Sequence, residues 1–83
     1  MYYVYVIQNE IDEFYIGYSN NPVKRLERHN NGENISTRNH QWKLVYYEAY
    51  VSEKYARSRE EKLKRNRKTN QFLMSRIKES LKN

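Results

Sequence analysis

The sequence predicts a small α+β domain, a three-stranded antiparallel sheet flanked by helices, from its length, its composition and the order of its apolar segments. With 83 residues the chain has room for one domain, residues 1–83. It contains no cysteine, so disulfides and thiolate metal sites are excluded and apolar packing must supply the core. The hydrophobic share is only 37%, but twelve aromatic residues, nine of them tyrosine, indicate a folded chain.

Two short strands are predicted near the start of the chain. Residues 2–7 (YYVYVI) and 14–18 (FYIGY) are rich in β-branched and aromatic side chains. The short turn between them, residues 8–13, favours an antiparallel hairpin. Gly17 lies inside the second strand, where a missing side chain lets another group approach closely.

A helix over residues 22–30 follows the hairpin. Asn20 or Asn21 can cap its first N–H groups, and Pro22 is favoured in a first turn. We expect a narrow apolar edge and a separate polar face, formed by Val23 with Leu26 and by Arg25 with His29. Residues 30–41 carry no hydrophobic period and predict a loop.

The second half predicts one strand and two helices. Residues 42–51 (WKLVYYEAYV) favour a third strand, and Ser52 can cap a helix that begins at Glu53. The broad stripe of this helix carries Tyr55, Ala56, Arg59, Glu60 and Leu63. A last helix over about residues 70–81 is expected to bury Phe72, Leu73, Ile77 and Leu81.

The positive charge is concentrated in the second half of the chain. The net charge is +6, but residues 1–42 carry −1 and residues 43–83 carry +7. This asymmetry predicts a polyanionic partner, with an anionic membrane surface as the weaker alternative. The basic run at residues 57–68 is either a phosphate-binding face or a solvated helix with the pairs Glu60–Lys64 and Glu61–Arg65. The candidate nucleic-acid-binding residues are Arg25, Arg38, Arg59, Lys64, Arg65, Arg67 and Lys68.

Several classes of protein are excluded by missing patterns. No apolar run approaches the roughly 18–20 residues that span a bilayer, and the start of the chain has no basic region of a signal peptide. We therefore expect a soluble, cytoplasmic protein without a membrane partner. The two glycines cannot form a phosphate-binding loop or a nucleophile elbow, and no HExxH pattern exists.

One set of residues suits metal-assisted hydrolysis of a phosphodiester: Tyr5, Tyr15, Arg25, His29 and Glu60. Glu60 can bind a hard cation such as Mg²⁺, which polarises the phosphoryl group. Arg25 offers a permanent charge that matches phosphate oxygens. Tyr5 or Tyr15 can act as general base only if adjacent cations lower its pKa from about 10.

Four segments together resemble the GIY-YIG nuclease domain over residues 1–68. They are Tyr3-Val4-Tyr5, Tyr15-Ile16-Gly17, Asn21-Pro22-x-x-Arg25-Leu26-x-x-His29-Asn30 and Ala56-x-x-Arg59-Glu60-x-x-Leu63-Lys64. Their order and spacing are more specific than any single motif. The resemblance implies a three-stranded antiparallel sheet flanked by helices, the fold already predicted.

The resemblance also implies an activity. The family hydrolyses one DNA strand with a single divalent cation, Mg²⁺ or Mn²⁺, and leaves 5′-phosphate and 3′-hydroxyl ends. By position, its catalytic residues correspond to Tyr5, Tyr15, Arg25, His29 and Glu60, with Glu60 as the metal ligand and a tyrosine as the base. The chain resembles the short stand-alone bacterial members, similar to the nuclease domain of the excision-repair incision subunit. The family resemblance also implies a role in DNA repair or recombination.

The match has two departures, which leave alternatives open. Tyr3 replaces the first glycine, and Tyr18 stands where some members carry lysine. The first hypothesis is an endonuclease acting on DNA, including branched or single-stranded DNA, with a protein partner that supplies specificity. The second is a nucleic-acid-binding module of the same fold without turnover. The third is a protein-interaction domain with a surface formed by Tyr46, Tyr47 and Tyr50.

Overall fold

The computed structural model describes residues 1–82, so residue 83, the last of the predicted domain, lies outside the described residues. The elements run β1 (Tyr2–Asn9), β2 (Phe14–Ser19), α1 (Pro22–Asn30), a 3₁₀ turn (Ile35–Thr37), β3 (Trp42–Tyr50), α2 (Glu53–Arg65) and α3 (Arg67–Leu81). The three strands form one antiparallel sheet in the order β2-β1-β3. The predicted fold class and element order are confirmed. Within residues 1–82, no helix has both the length and the apolar content needed to cross a membrane.

The central strand β1 is covered on both faces, which explains why residues 4–9 are all buried. Val4 and Val6 point to one face and belong to the larger core cluster with Ile16. The members of that cluster contributed by α2 and α3 are Ala56, Leu63, Leu73 and Ile77. Tyr5 and Ile7 point to the opposite face, where they pack with residues of α1 and β3. The candidate site lies on this second face.

A bulge in β3 decides which of its tyrosines face the helices. Val6 pairs with Tyr46 but Ile7 pairs with Leu44, so the register shifts by one residue and interrupts the alternation of the strand. Tyr46 is half-buried against the larger core, whereas Tyr47 is 57% exposed beside Tyr3 on the other face. The three tyrosines therefore do not form one exposed surface: Tyr46 and Tyr50 pack against the core and Tyr47 is exposed, as the alternation of a strand predicts.

Asparagines begin two of the helices. Asn21 accepts a hydrogen bond from the Lys24 backbone N–H at 3.1 Å, as predicted. Ser52 precedes α2 as predicted but forms no capping bond with its side chain. Asn66 accepts from the Thr69 backbone N–H at 3.0 Å, and this cap starts α3 at Arg67, three residues before the predicted start.

Three residues predicted for buried helix faces are exposed: Tyr55, Phe72 and Leu81. On α3 the buried stripe consists of Leu73 and Ile77, four residues apart, and Phe72 lies one helix step outside it. On α2 the fully buried residues are Ala56, which is small, and Leu63. The buried stripe of this helix is therefore narrower than the predicted one.

An acidic residue in β3 connects the sheet to α2. Glu48 accepts hydrogen bonds from Tyr46 and Tyr50 and from both sides of the Arg59 guanidinium, at 2.5 to 2.9 Å. Burial raises the pKa of Glu48, but these hydrogen bonds outweigh burial, and the net pKa is lowered. Burial and the bond to Glu48 also raise the pKa of Tyr46 to about 12. This cluster fixes α2 against β3.

At neutral pH we expect Glu48→Gln to lower the free energy of unfolding by about 2–3 kcal/mol, because it leaves the Arg59 charge without its carboxylate. The folded-state pKa of Glu48 is lowered, so its contribution is present above the unfolded pKa of about 4.5. That contribution is lost as the pH falls through the folded pKa. Urea denaturation should therefore show a smaller difference between the variant and the wild type at about pH 3.

The matched control is Glu61→Gln, which removes an exposed carboxylate from α2 and should change stability by less than about 0.5 kcal/mol. An equal loss for Glu48→Gln at both pH values would contradict the assignment.

Candidate functional site

Gly17 allows the central strand to extend a tyrosine ring across the edge strand. Tyr5 in β1 pairs with Gly17 in β2, and β2 is an edge of the sheet. A Cβ atom at position 17 would lie 2.3 Å from both Cζ and the hydroxyl oxygen of Tyr5. Only glycine leaves this space, so the predicted close approach at Gly17 is confirmed, and the approaching group is the phenol of Tyr5.

Tyr5 ends in a buried chain of side-chain hydrogen bonds. Its hydroxyl lies 2.8 Å from Nε2 of His29, and Nδ1 of His29 lies 2.8 Å from the hydroxyl of Thr37. All three side chains are at most 1% exposed. His29, predicted for a polar face of the helix together with Arg25, is buried, whereas Val23 on the predicted apolar edge is 63% exposed. His29 is buried because both ring nitrogens have partners inside the protein.

Tyr15 lies beside this chain at the edge of the sheet. Its ring and the ring of His29 pack in an edge-to-face arrangement, with centroids 5.0 Å apart. Its hydroxyl accepts a hydrogen bond from the Asn34 side chain at 3.4 Å. The ammonium of Lys64, on α2, lies 5.6 Å from its ring centroid. Tyr15 thus contacts residues of both α1 and α2.

Arg25 and Glu60 complete the group from α1 and α2. Burial raises the pKa of Tyr5, the charge of Arg25 lowers it, and the charges of Tyr15 and Glu60 raise it further. Both charged side chains therefore lie close enough to act on the same phenol. Arg25 also lines an open groove of about 450 Å³ together with His29 and Asn34. Glu60 is 22% exposed and pairs with Lys64 at 3.2 Å. All five residues predicted for the site lie in one region.

The electrostatics differ from the expectation in one respect. A tyrosine base was expected to have its pKa lowered by cations, but burial dominates at Tyr5 and its pKa is raised. The charge of Arg25 acts in the expected direction, and burial outweighs it. Burial and the positive charge of Arg25 together lower the pKa of His29 below its usual value of 6.5. The pair favours a neutral phenol hydrogen-bonded to a neutral imidazole.

The donors of this region fit a hard divalent cation only in part. Among residues 1–82, no cluster of three or more histidine, aspartate or glutamate side chains could hold a metal ion by itself. Glu60 supplies one partly exposed carboxylate. Mg²⁺ in phosphoryl-transfer sites is often held by one or two carboxylates together with waters and substrate phosphates. The residues present therefore suit a cation that binds together with its substrate.

The candidate phosphate-binding residues are distributed unevenly. Arg59 is half-buried and bound to Glu48, and Arg38 donates to the Gly32 carbonyl at 3.0 Å. The two predicted helix pairs, Glu60–Lys64 and Glu61–Arg65, both form with N–O distances of 3.2 Å. The exposed residues Arg67 and Lys68 begin α3.

Three contributors to this site were absent from the prediction. Thr37 binds His29, and its carbonyl accepts from the indole N–H of Trp42 at 2.9 Å. Asn34 caps the 3₁₀ turn that carries Thr37. Asn30 holds the start of β3 by exchanging two hydrogen bonds with the Trp42 backbone. The segment Asn34-Ile35-Ser36 carries an asparagine turn signal, the one pattern that could have located this turn.

Comparisons with known proteins agree with this geometry. The family model of the GIY-YIG catalytic domain matches residues 1–73. A UPF0213 protein of Clostridium perfringens is 39% identical over 84 residues, covering 95% of this chain and 90% of its own length. No solved structure matches the chain significantly.

We expect Gly17→Ala to lower the free energy of unfolding by about 2 kcal/mol or more, because the new methyl group overlaps the Tyr5 ring. The matched control is Gly32→Ala. Gly32 has a φ of +76°, but an added Cβ atom would meet only Cγ of the Arg38 side chain at an ordinary 3.6 Å, so alanine there should cost only about 1 kcal/mol of backbone strain. Urea denaturation of both variants measures the difference. A Gly17→Ala protein at least as stable as Gly32→Ala would contradict the packing.

Proposed function

Because the chain belongs to the GIY-YIG catalytic-domain family, we propose that it is a divalent-metal-dependent DNA endonuclease that leaves 5′-phosphate and 3′-hydroxyl ends. The observation that carries this proposal is the Tyr5 hydroxyl, which is hydrogen-bonded to His29 within reach of the charges of Arg25 and Glu60. These groups are an acid–base pair, a phosphate-binding cation and a metal-binding carboxylate. Metal-assisted hydrolysis of a phosphodiester can use all three.

Glu60 is the residue that would hold the cation, Mg²⁺ or Mn²⁺. When bound, such a cation polarises the phosphoryl group and stabilises the departing oxygen. Glu60 is positioned for this role because α2 is fixed against β3 through the adjacent Arg59, which binds Glu48. Its partner Lys64 keeps the carboxylate paired when no cation is present.

Arg25 would bind a non-bridging oxygen of the scissile phosphate. Its guanidinium is permanently charged, and its fork of N–H donors matches phosphate oxygens. It is half-exposed at the groove that also contains His29, so a DNA backbone can reach it from solvent. Charge that accumulates on the phosphate in the transition state strengthens this contact.

Tyr5 and His29 would act together as the general base. The raised pKa of Tyr5 makes a free tyrosinate unfavourable. In the proposed step, the attacking water gives its proton to the Tyr5 oxygen while Tyr5 gives its own proton to Nε2 of His29. Tyr5 is then neutral before and after the step, and the positive charge ends on His29. Tyr15, against His29 and below Lys64, closes the site on the side of β2.

The two departures from the family motif lie outside this group, which favours activity over a binding module without turnover. Tyr3 packs its ring against Tyr47, with centroids 5.8 Å apart. Tyr18 donates to Glu53 at 2.6 Å, and the Arg57 guanidinium covers its ring. Within residues 1–82, neither of these two tyrosines forms a hydrogen bond with Tyr5, His29 or Glu60.

The domain that would carry this activity extends over residues 1–83. The motif-bearing part, residues 1–68, lacks Leu73 and Ile77, which α3 contributes to the core. We infer that α3 is needed for stability. We also infer that the protein acts in the cytoplasm on DNA, including branched or single-stranded DNA, and that a protein partner takes part. The net charge of +7 in the second half supports DNA as the ligand.

The direct test is cleavage of labelled single-stranded, duplex and branched DNA in Mg²⁺, Mn²⁺ or EDTA. We expect Glu60→Gln to reduce cleavage by about 10³-fold or more and to leave DNA binding within about threefold, because it removes the metal ligand and keeps every basic residue that can bind phosphate. The matched control is Glu61→Gln, which alters the neighbouring exposed carboxylate of the same helix. It should cut at the wild-type rate.

Two results would contradict this proposal, the first by overturning the mechanism and the second by overturning the nuclease. A Glu60→Gln protein that cuts as fast as the wild type would remove Glu60 from the mechanism. Salt-sensitive DNA binding by the wild type without cleavage in any divalent cation would indicate the binding module.

The pH profile tests the role of His29. Burial and Arg25 lower its pKa, so His29 remains neutral and able to accept a proton at pH values below the usual 6.5. We expect kcat to stay high at pH values below the usual pKa of histidine and to fall only as the pH passes below the lowered pKa of His29. The His29→Asn variant should lose this acidic limb together with most of its activity. An acidic limb centred above pH 7 would contradict a neutral, buried His29.

A further inference from the structure

We propose that Thr37 is a positioning residue that holds the proton of His29 on Nδ1. Thr37 lies in the 3₁₀ turn after α1 and is fully buried. Its hydroxyl lies 2.8 Å from Nδ1 of His29 and 3.4 Å from the backbone carbonyl of Asn34. In the hydrogen-bonded chain, Thr37 is the partner of His29 on the side opposite Tyr5.

The direction of each hydrogen bond follows from the number of protons available. The Thr37 hydroxyl has one proton, and a carbonyl oxygen can only accept. If Thr37 donates to Asn34, then Nδ1 of His29 must donate to Thr37, and Nε2 is left as an acceptor. The Tyr5 hydroxyl then donates to Nε2.

The other end of the chain favours the same direction. The positive charge of Arg25 acts on the Tyr5 hydroxyl. A positive charge attracts the lone pairs of a hydroxyl and repels its proton, so it favours a Tyr5 proton directed at His29. Both ends of the chain therefore favour the same tautomer of His29.

This tautomer is the one that the proposed reaction needs, and the catalytic part of the inference rests on the proposed nuclease. With Nε2 unprotonated, His29 can accept the Tyr5 proton as Tyr5 takes one from water. With Nε2 protonated, His29 would donate to Tyr5 and could not serve as acceptor. A residue that touches neither DNA nor metal would thus decide whether the base functions, as the residue behind a catalytic histidine does in other enzymes.

The first test needs neither cleavage nor DNA. Nitrogen-15 NMR of the histidine ring distinguishes the two neutral tautomers in the free, metal-free wild-type protein at about pH 7.5. We expect Nδ1 of His29 to be protonated and Nε2 to be unprotonated. A ring protonated on Nε2 would overturn the proposal, whether or not the protein cuts DNA.

The second test uses an isosteric pair of variants. Thr37→Val removes the acceptor with little change of volume, and Thr37→Ser keeps it. We expect Thr37→Val to shift His29 toward protonation on Nε2 and to lower kcat about 100-fold, with KM within about threefold of wild type. Thr37→Ser should restore kcat to within about threefold. Thr69→Val, the same change on α3, should leave both the tautomer and kcat unchanged.

Folded protein is verified first by its thermal transition, so that the kinetic comparison concerns native enzyme. A folded Thr37→Val protein with wild-type kcat and pH profile would overturn the positioning role. Wild-type protein with the expected tautomer but no cleavage would leave the tautomer assignment intact and overturn the nuclease instead, so the two failures are distinguishable.

Discussion

The packing of the Tyr5 ring on Gly17 is the constraint on which the rest of the site depends. It places a phenol from the most buried strand across an edge strand, where any larger residue would occupy the same space. From there the hydroxyl reaches His29, and His29 in turn fixes the 3₁₀ turn through Thr37. A chain with only two glycines uses one of them here, because no other residue allows this contact.

Local patterns were sufficient for the fold class and for five residues that the structure brings into one region, but not for Thr37, Asn34 and Asn30 or for the protonation of the site. The strands and the helix at Pro22 follow from β-branched runs, a cap and a proline, which act over a few residues. The burial of His29 could not be read in this way, since its partner Thr37 lies eight residues away in a loop without a period. The raised pKa of Tyr5 arises from burial by the complete fold, which no local pattern contains.

Side chains of similar type that are close in the sequence have different roles in the structure. Tyr46 and Tyr47 are neighbours, yet the bulge in β3 directs one to the Glu48 cluster and the other to solvent. Arg59 and Lys64 both belong to the basic run. Arg59 connects α2 to the sheet, whereas Lys64 lies between Glu60 and Tyr15. The formal charge of a segment therefore overstates the number of cations that are free to meet a phosphate.

The position of the first strand in the middle of the sheet has a consequence for the order of folding. The hairpin of β1 and β2 closes over short sequence distances, whereas β1 and β3 pair residues as far apart as Tyr2 and Tyr50. Short loops close at lower entropic cost, so Tyr5 and Gly17 meet early and α2 docks late. Glu60 thus joins the acid–base pair only when long-range assembly is complete. Under the proposed mechanism, a nascent or partly opened chain would carry the acid–base pair without the residue that would hold the cation, so cleavage would begin only when the fold is complete.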